Sequence, residues 1–506
     1  MTGTRPLPAH QPERVGEHQR RADLAGAVAA ELVAADGVPL GREIYVNRTL
    51  RMDSIRHVGF DLDWTLASYH RDVLGELTYR LAVERLVATG RYPAALAGLG
   101  YRPEFSCRGL LIDRHLGTVI KMDRHRYVGA AYLGYRRLDS PERAALYRQE
   151  PIDLSRERFY RVDTLFELPE VALFNDLVEL VREGTSVPEP KVVAGIFDDV
   201  RTTVDTLHAD GSLKSLIGRR PERFLTRDRQ LGTALARLLL GGKRLFLLTN
   251  SEWTFTNAVC SYLLDGLLPG LPTWRDYFDL VVVSAAKPGF FRDVRPFVRL
   301  DADGEPVGRE AVPEWHGLYS GGCRAHLMEL LDSHGEQVLF VGDHVYGDIR
   351  WPRVSTTWRT ALVVSELETE IQRTIETQDV ERELIRLRHR LADMGRRLGD
   401  LEDLAEAVAL LAPDDARQPP PPTAELRRRH RELGLTVHDA ETSLAIRANP
   451  TWRSLLKHRQ VRSLWAEQMD DYACIYTSRV ANFAYYDADH YFRVLYEPLK
   501  HELDLV

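Results

Sequence analysis

Two aspartates, Asp61 and Asp63, stand one residue apart at the end of a short apolar run. The run, residues 58–60, predicts a buried strand, and open α/β sheets bind their ligands at the carboxyl ends of such strands. Residues at positions i and i+2 of a strand project the same way, so both carboxylates would face one site. Because burying two anions together without a cation is costly, we expect a divalent metal ion beside this pair.

Polar side chains also follow three later apolar runs, each of which predicts a strand. The runs are residues 244–248, 278–283 and 337–341, and the polar residues after them are Thr249, Asn250 and Ser251, then Lys287, then Asp343 and Asp348. Each group taken singly is common in turns and solvated loops. Strands that alternate with helices indicate a mostly parallel sheet, whose strand ends share one edge. We therefore expect one site, in which residues 249–251 and Lys287 bind the substrate.

Such a site suits phosphoryl transfer. Asp61, as the nucleophile, would form an aspartyl phosphate and so divide one hydrolysis into two displacements. Asp63 would protonate the leaving oxygen and later take a proton from water. The transferred group spreads negative charge over its oxygens, which Lys287, the Thr249 hydroxyl and nearby backbone N–H groups would stabilise.

The ligand types predict Mg²⁺ as the cofactor. Asp61, Asp343 and the backbone carbonyl of Asp63, with water and a phosphate oxygen, would supply the hard oxygen donors that octahedral Mg²⁺ prefers. Zinc would favour His or Cys, and the four cysteines show no CxxC spacing. Asp348 would orient Lys287 or a metal-bound water.

The composition indicates a globular protein in a reducing compartment. The chain has 506 residues, of which 28% are charged, and its net charge of −7 disfavours a dedicated nucleic-acid binder. Few cysteines fit a reducing cytoplasm. The sequence has neither an N-terminal apolar segment nor the roughly 18 consecutive apolar residues that a membrane span needs. We therefore expect a cytoplasmic protein without nucleic-acid or membrane partners.

The pattern of elements predicts an α/β fold with a doubly wound parallel sheet, a large cap and a helical C-terminal region. The cap falls between Asp63 and Thr249, because that interval is far longer than the one from Thr249 to Lys287. The predicted divisions are an N-terminal arm and helix at 1–41, core at 42–75, cap at 76–235, core at 236–365, a heptad helix with a proline-rich break at 366–422, and a helical region at 423–506. Apolar residues at heptad spacing between 384 and 401 indicate a helix that packs along another helix, of this chain or of a second copy.

The order of the motifs resembles that of the haloacid dehalogenase (HAD) superfamily of phosphohydrolases. The first motif of that superfamily resembles the stretch Phe60-Asp61-Leu62-Asp63-Trp64-Thr65-Leu66 of this chain. Three longer stretches resemble the cytosolic purine 5′-nucleotidase family, namely residues 159–170, residues 199–205 with 211–214, and residues 341–349. Similarity runs from about residue 44 to residue 366, and more weakly through 464–476. The resemblance implies a HAD-like Rossmannoid core with its cap inserted between the first and second motifs.

The same resemblance implies contacts between the cap and a purine nucleotide. Phe166 would stack on the base, and His208 would lie beside it. Arg201 and Asp205 would hydrogen-bond the base or sugar, and Lys214 would reach the phosphate. These residue types are suitable, since an aromatic ring offers a flat face and Arg or Lys bind anionic groups. Without the resemblance, Phe166 would be assigned to the core.

Three positions depart from the family's adenine-nucleotide effector site. Asp163 and Tyr346 stand where the animal enzymes have Asn and Phe, and Asp471 replaces an arginine expected to meet the effector phosphate. An acid there should repel ATP, so we expect weak or absent activation by ATP through that site. We expect a homo-oligomer, with its number of subunits left open.

These patterns together predict a Mg²⁺-dependent 5′-nucleotidase that converts purine nucleoside monophosphates, IMP or GMP, to nucleoside and phosphate, with possible transfer of the phosphoryl group to another nucleoside. One alternative is a HAD phosphatase for a different small phosphate ester, since cap contacts decide specificity and the fold does not. Another is an inactive nucleotide-binding scaffold whose C-terminal helices do the work. The preferred base, the effectors and the roles of the N-terminal arm and heptad helix stay open.

Overall fold

The computed structural model describes residues 21–30, 37–148, 152–182, 188–411, 421–447, 449, 451–458 and 461–495. The chain folds into two compact units. The first is built from two segments, within Met1–Glu368 and Leu455–Val506, and the second lies within Thr369–Ser454. Residues 21–30 are helical, whereas most of the arm predicted within 1–41 lies outside the described residues. Within the described part, every helix falls short of the length and apolar character that crossing a bilayer requires.

Strands and helices alternate along most of the chain. The strands are β1 (Tyr45–Val46), β2 (Leu50–Arg51), β3 (His57–Phe60), β4 (Ser68–Tyr69), β5 (Leu110–Asp113), β6 (Thr118–Met122), β7 (Val128–Leu133), β8 (Arg136–Arg137), β9 (Phe159–Arg161), β10 (Leu225–Thr226), β11 (Arg244–Leu248), β12 (Leu280–Val283), β13 (Phe297–Leu300), β14 (Pro306–Glu310), β15 (Leu318–Gly321), β16 (Val338–Gly342), β17 (Arg359–Val363), β18 (Lys457–His458), β19 (Val461–Arg462), β20 (Ile475–Thr477) and β21 (Tyr491–Phe492). The helices are α1 (21–30), α2 (Arg71–Ala88), α3 (Ser140–Tyr147), α4 (Leu168–Val181), α5 (Pro190–Ala209), α6 (Ser212–Arg219), α7 (Pro221–Phe224), α8 (Arg229–Leu240), α9 (Trp253–Leu264), α10 (Gly289–Arg292), α11 (Arg324–Leu331), α12 (Trp351–Ser355), α13 (Leu367–Leu411), α14 (Pro421–Arg447) and α15 (Leu464–Tyr472).

The main sheet of the first unit has ten strands in the order β1-β20-β17-β16-β3-β11-β12-β15-β13-β14. The seven strands from β20 to β15 pair in parallel, and antiparallel pairs occur only towards the two edges among the described strands. The central strands β3, β12 and β16 are buried throughout, as expected for a parallel sheet covered on both faces. The predicted α/β class with a mostly parallel sheet is therefore confirmed.

Gly59 in β3 allows the centre of this sheet to pack tightly. A Cβ atom at Gly59 would lie 2.2 Å from a ring atom of Phe246 in β11 and 2.8 Å from one of Phe340 in β16. These two rings stack across β3, with their centroids 6.4 Å apart. Any larger residue would push the rings aside, so glycine sets the close packing beneath the first motif.

The long segment between β4 and β10 contains a second sheet with its own helices. The sheet is antiparallel, in the order β8-β7-β6-β5-β9, and its strands β5, β6 and β7 are fully buried. Helices α2, α4 and α5 pack against one another in the same segment. Strand β7 was not predicted, because its Gly-Ala-Ala stretch has neither alternation nor large apolar residues.

The C-terminal part differs from the division predicted at 422/423. Helix α14 begins at Pro421, which fits the tolerance of proline in a first helical turn, and the rest of the predicted proline break lies outside the described residues. From Leu455 onward the chain belongs to the first unit, where β20 lies between β1 and β17 in the main sheet. A strand of three residues is too short to show a period, so sequence reasoning missed it.

The second unit consists of α14 and most of α13, which contains the heptad positions. The Arg388 guanidinium pairs with Glu441, and Arg427 Nε donates to Glu402 at 2.7 Å. Leu384, in the heptad positions, is buried. The seam therefore packs against its own chain, which is one of the two possibilities that the pattern left open.

Candidate active site

The loop after β3 carries both aspartates of the first motif. The Asp61 N–H donates to the Val341 carbonyl of β16 at 2.9 Å, which extends the ladder one residue past the strand. The chain then turns, and the Leu62 carbonyl accepts a hydrogen bond from the Ala67 N–H at 2.9 Å. Because the turn follows the strand at once, Asp61 and Asp63 both stay at the carboxyl edge of the sheet.

Lys287 places a buried positive charge beside Asp61. Its Nζ lies 2.8 Å from Oδ1 of Asp61 and 2.6 Å from Oδ1 of Asp348, and its side chain is 3% exposed. Burial opposes the charged ammonium, but Asp348 and Asp61 outweigh burial and raise the pKa of Lys287. Burial raises the pKa of Asp61 to about 7, and Lys287 partly offsets that effect. The three side chains form one fixed group.

The end of β16 brings two more aspartates to the same edge. A Cβ atom at Gly342 would lie 2.3 Å from the Cβ of Asp348, so glycine lets the chain fold back over itself. A π-helical turn, Val345–Arg350, begins here, and the His344 Nδ1 accepts hydrogen bonds from two of its backbone N–H groups at 3.2 Å. Burial lowers the pKa of His344, which favours the neutral ring that this acceptor role requires. The turn returns Asp348 beside Asp343.

Three buried carboxylates could hold a metal ion. One oxygen each from Asp61, Asp343 and Asp348 lies within 4.8 Å of the other two. Oδ2 of Asp343 is buried and accepts no hydrogen bond from any described residue, with Arg108 Nη1 3.8 Å away. Burial raises the pKa of Asp343 well above its ordinary value, as expected where a compensating cation is needed. An all-oxygen group with an unsatisfied carboxylate oxygen fits a hard cation such as Mg²⁺.

The Asp63 carboxylate lies outside that group and is held by two hydroxyl groups. Tyr69 donates to Oδ1 at 2.5 Å, and Ser251 donates to Oδ2 at 2.6 Å. Burial raises the pKa of Tyr69 well above its ordinary value, so the phenol stays a donor. The predicted metal ligand from this residue is the Asp63 backbone carbonyl, which is compatible with this side-chain position. Tyr69 was not predicted at the site, and its only signal in the sequence is its closeness to the first motif.

Arg108 is a second residue that sequence reasoning missed. It is 1% exposed, its Nη1 donates to the Asp343 carbonyl at 3.0 Å, and its Nε donates to Glu366 at 3.0 Å. Burial opposes ionisation of Glu366, but Arg108 outweighs burial and lowers the pKa of that carboxyl group. The guanidinium also lies over the ring of Trp465, 4.9 Å from its centroid. Arg108 thus ties the Asp343 backbone to two distant segments.

A cavity of about 490 Å³ opens above the acidic group. One part of the cavity, which we call the catalytic floor, is lined by Asp61, Asp63, Lys287, Asp343 and Asp348. The other walls include Phe166, His208, Lys214, Asn250, Ser251, Phe255 and Tyr346. Its volume lies within the range of roughly 300–1,000 Å³ typical of small-molecule sites, and it combines aromatic walls with a charged floor.

Phe166 is held in place by aromatic neighbours on the cavity wall. Its ring centroid lies 5.9 Å from that of Trp64, 5.8 Å from Tyr69 and 5.2 Å from His208, all edge to face. Burial lowers the pKa of His208 to about 4, so its imidazole is neutral at physiological pH. Lys214 also lines the cavity, and its Nζ pairs with Glu252 at 2.6 Å. Phe166, His208 and Lys214 thus lie together on the cavity wall, and their contacts with a purine nucleotide stay a prediction.

Three residues expected at the substrate are not among those that line the cavity. Arg201 Nη1 pairs with Glu170 at 3.0 Å and its Nη2 with Asp205 at 3.0 Å, so both predicted base or sugar contacts are engaged within the cap. Thr249 is fully buried, and its hydroxyl accepts a hydrogen bond from the Ser251 N–H at 3.1 Å. The threonine thus supports the loop, while Arg201 satisfies the buried carboxylate of Glu170 and also pairs with Asp205.

Two of the positions that resemble an effector site interact, since burial and the nearby Asp163 carboxylate raise the pKa of Tyr346. The Arg161 guanidinium lies over the Tyr346 ring, 4.7 Å from its centroid, and the Gln468 amide donates to the Tyr346 hydroxyl. Burial raises the pKa of Asp163 to about 7. Asp471 is exposed on α15. Weak activation by ATP through these positions stays a prediction.

Comparison with known proteins agrees with the motifs. The profile of the 5′ nucleotidase family matches residues 44–504. The chain is 32% identical over 337 residues to a 5′-nucleotidase domain-containing protein of Dictyostelium discoideum, which covers 65% of this chain and 56% of that protein. It is also 32% identical over 342 residues to 5′-nucleotidase domain-containing protein 2 of Homo sapiens, which covers 65% of this chain and 64% of that one. The chain thus matches less than two thirds of the length of these relatives.

Solved structures that are similar at low scores include CbbY of Rhodobacter sphaeroides in complex with phosphate, at 15% identity and a TM-score of 0.21. That match covers 61% of this chain and 86% of the solved one. The HAD-hydrolase YfnB of Bacillus subtilis bound to magnesium matches with the same coverage, at 13% identity and a TM-score of 0.20.

Proposed function

Because the chain belongs to the 5′-nucleotidase family, we propose that it hydrolyses purine nucleoside 5′-monophosphates, IMP or GMP, to nucleoside and phosphate with Mg²⁺ as cofactor. The observation that carries the proposal is a pair of differently held carboxylates at the floor of one cavity. Asp61 contacts the Lys287 ammonium at 2.8 Å, whereas both Asp63 oxygens accept hydrogen bonds from hydroxyl groups. Carboxylates in different surroundings suit different roles in one reaction.

The first step is a displacement at phosphorus. An Asp61 carboxylate oxygen attacks the phosphorus of the monoester, and the new bond forms as the bond to the 5′ oxygen breaks. Asp63 gives its proton to that oxygen, so the nucleoside leaves as an alcohol. In the second step Asp63 takes a proton from water, and the water oxygen attacks phosphorus. Asp61 is then released as a carboxylate, together with inorganic phosphate.

Positive charge stabilises the phosphoryl group as it transfers. Lys287, held by Asp348 at 2.6 Å, presents a buried ammonium next to Asp61. Such a preorganised charge costs no reorganisation during the reaction. Mg²⁺, when bound by Asp61, Asp343 and the backbone carbonyl of Asp63, supplies Lewis-acid stabilisation of the phosphoryl oxygens. Asp348 acts by orienting the ammonium.

The cavity wall supports a nucleoside as the leaving group. Phe166 offers an aromatic ring fixed by three neighbours, which suits a purine base. The neutral imidazole of His208 lies against that ring and offers one donor and one acceptor to the base. Lys214 is proposed to exchange its contact with Glu252 for the substrate phosphate. A cytoplasmic location and a homo-oligomer belong to the same proposal.

A second candidate is a phosphatase for another small phosphate ester. It is favoured by the placement of Arg201 and Asp205, which pair within the cap and leave the cavity without two of the expected polar contacts to base or sugar. The same catalytic residues would also transfer the phosphoryl group from Asp61 to the hydroxyl group of another nucleoside, which would take the place of water in the second step.

A panel of phosphate esters tests the choice between these substrates. We expect kcat/KM for IMP and GMP to exceed that for sugar phosphates by at least about tenfold, since roughly 1.4 kcal/mol of differential binding by the base suffices. Equal or higher kcat/KM for sugar phosphates would exclude the nucleotidase and leave the phosphatase. The Phe166→Leu variant should lose the preference for IMP and GMP while keeping turnover of the sugar phosphates.

A further inference from the structure

A second cavity, of about 410 Å³, opens in the cap apart from the catalytic floor. It lies between the turn that precedes β7 and helix α3. The basic residues that line it are His125, Arg126, Arg143 and Arg148, and none of the described residues on its walls is acidic. Its described walls thus hold three guanidinium groups and no carboxylate, which gives them an excess of positive charge.

Arg143 is the buried member of this group, with 7% of its surface exposed. Two arginines elsewhere in the cap have acidic partners, since Arg114 pairs with Asp198 at 2.7 Å and Arg136 pairs with Glu142 at 2.7 Å. Among the described residues, no carboxylate lies within ion-pair distance of Arg143 or of the two other arginines in the cavity. Buried arginines are rarely left without an anion, because desolvating the charge is costly.

The contact that Arg143 does make also indicates excess positive charge. Arg143 and Arg148 both approach the phenol oxygen of Tyr127, and their hydrogen bonds lower the pKa of Tyr127. The phenol thus takes the place that a carboxylate or phosphate normally occupies. A single neutral oxygen cannot satisfy two guanidinium groups, each of which carries five N–H donors.

We propose that this cavity is a second ligand site, which binds a small organic phosphate. The phosphate would meet Arg126, Arg143 and Arg148, because guanidinium groups match the oxygens of a tetrahedral dianion in a bidentate way. The organic part would rest on the apolar remainder of the wall, which Val128 and Ile152 provide. The volume exceeds what a phosphate ion alone would fill. The site is independent of the reaction proposed for the catalytic floor.

Arginine modification of the full-length protein tests this proposal without reference to turnover. The probe is phenylphosphonate, which carries an oxyanion and an aromatic ring and has no ester bond to hydrolyse. Phenylglyoxal labels accessible arginines, and peptide mass spectrometry then measures the rate at Arg126, Arg148 and the exposed Arg137, which lies on β8 and does not line the cavity. We expect phenylphosphonate to slow labelling of Arg126 and Arg148, and to do so at lower concentration than inorganic phosphate.

Matched variants locate the effect. Arg148→Gln should raise the phenylphosphonate concentration that half-protects Arg126 by roughly tenfold, the effect of losing one charge-assisted hydrogen bond. Arg137→Gln should leave that concentration unchanged. Unaltered labelling of Arg126 and Arg148 would overturn the proposal, as would equal protection of Arg137, which would indicate ionic screening only. Equal protection by inorganic phosphate and phenylphosphonate at the same concentration would overturn the proposal that the organic part of the ligand contributes to binding.

Discussion

The substitution Tyr69→Phe removes one of the two hydrogen bonds that hold Asp63, the proposed acid and base of the reaction. The phenol donates to Asp63 Oδ1 at 2.5 Å, while Ser251 holds Oδ2. Phenylalanine keeps the ring contacts of Tyr69 with Trp64 and Phe166, whose centroids lie 5.0 Å and 5.8 Å away. The substitution therefore removes one hydroxyl and leaves the packing of the wall in place.

The size of the effect follows from the kind of bond that is lost. A hydrogen bond to a charged group contributes about 1.5–3 kcal/mol, and each 1.36 kcal/mol corresponds to a tenfold change in rate. We expect phosphoenzyme formation from IMP to slow by about 10- to 100-fold in Tyr69→Phe, because the nucleoside needs a proton from Asp63 as it leaves. p-Nitrophenyl phosphate releases a stable phenolate that needs no proton, so its first turnover should change by less than about threefold.

Rapid-quench kinetics of the first turnover with both esters makes the comparison. Tyr92→Phe is the matched control, because it removes a phenol that donates to Asp199 at 2.7 Å away from the catalytic floor, and it should alter neither rate. Equal slowing of the two esters in Tyr69→Phe would refute the reasoning, since a general disturbance of the site does not depend on the leaving group.

Four further predictions concern the catalytic floor and the effector positions. Asp61→Asn should abolish turnover and leave the thermal unfolding midpoint within a few degrees of the original, which a thermal melt and an IMP assay check; unchanged turnover would exclude Asp61 as nucleophile. Chelation by EDTA should stop IMP hydrolysis and added Mg²⁺ should restore it, whereas full activity in EDTA would exclude the metal. Gly342→Ala should lower kcat at least about tenfold, because its Cβ would stand 2.3 Å from that of Asp348 and displace the partner of Lys287; a normal kcat would show that the turn adapts. ATP should activate little or not at all, and strong activation that Asp471→Ala leaves intact would show that the effector positions were assigned wrongly.

The strands that carry the catalytic floor could be predicted because each is a continuous apolar run. Strand β11 was predicted at its observed bounds, and β3, β12 and β16 within two residues at either end. Buried parallel strands need such runs, and the polar residues that follow them must then lie at one edge. The alternation of strands with helices indicated the α/β class, and the long interval between Asp63 and Thr249 predicted the position of the cap.

Contacts between distant segments could not be predicted in the same way. Arg108 meets Glu366 through tertiary folding alone, and no local pattern marks either residue. The pairing of Arg201 with Glu170 depends on how two cap helices face each other, so the resemblance placed Arg201 at the substrate while the structure uses it to satisfy a buried acid. Strand β20 was missed because three residues give no period to recognise.

The most direct test of the central claim is to quench the enzyme with acid during turnover of ³²P-labelled IMP and to locate the label by peptide mapping. We expect a transient, acid-stable and base-labile phosphoryl group on Asp61 that disappears once IMP is consumed. A label on any other residue, or none at times when turnover is under way, would contradict the proposed aspartyl phosphate.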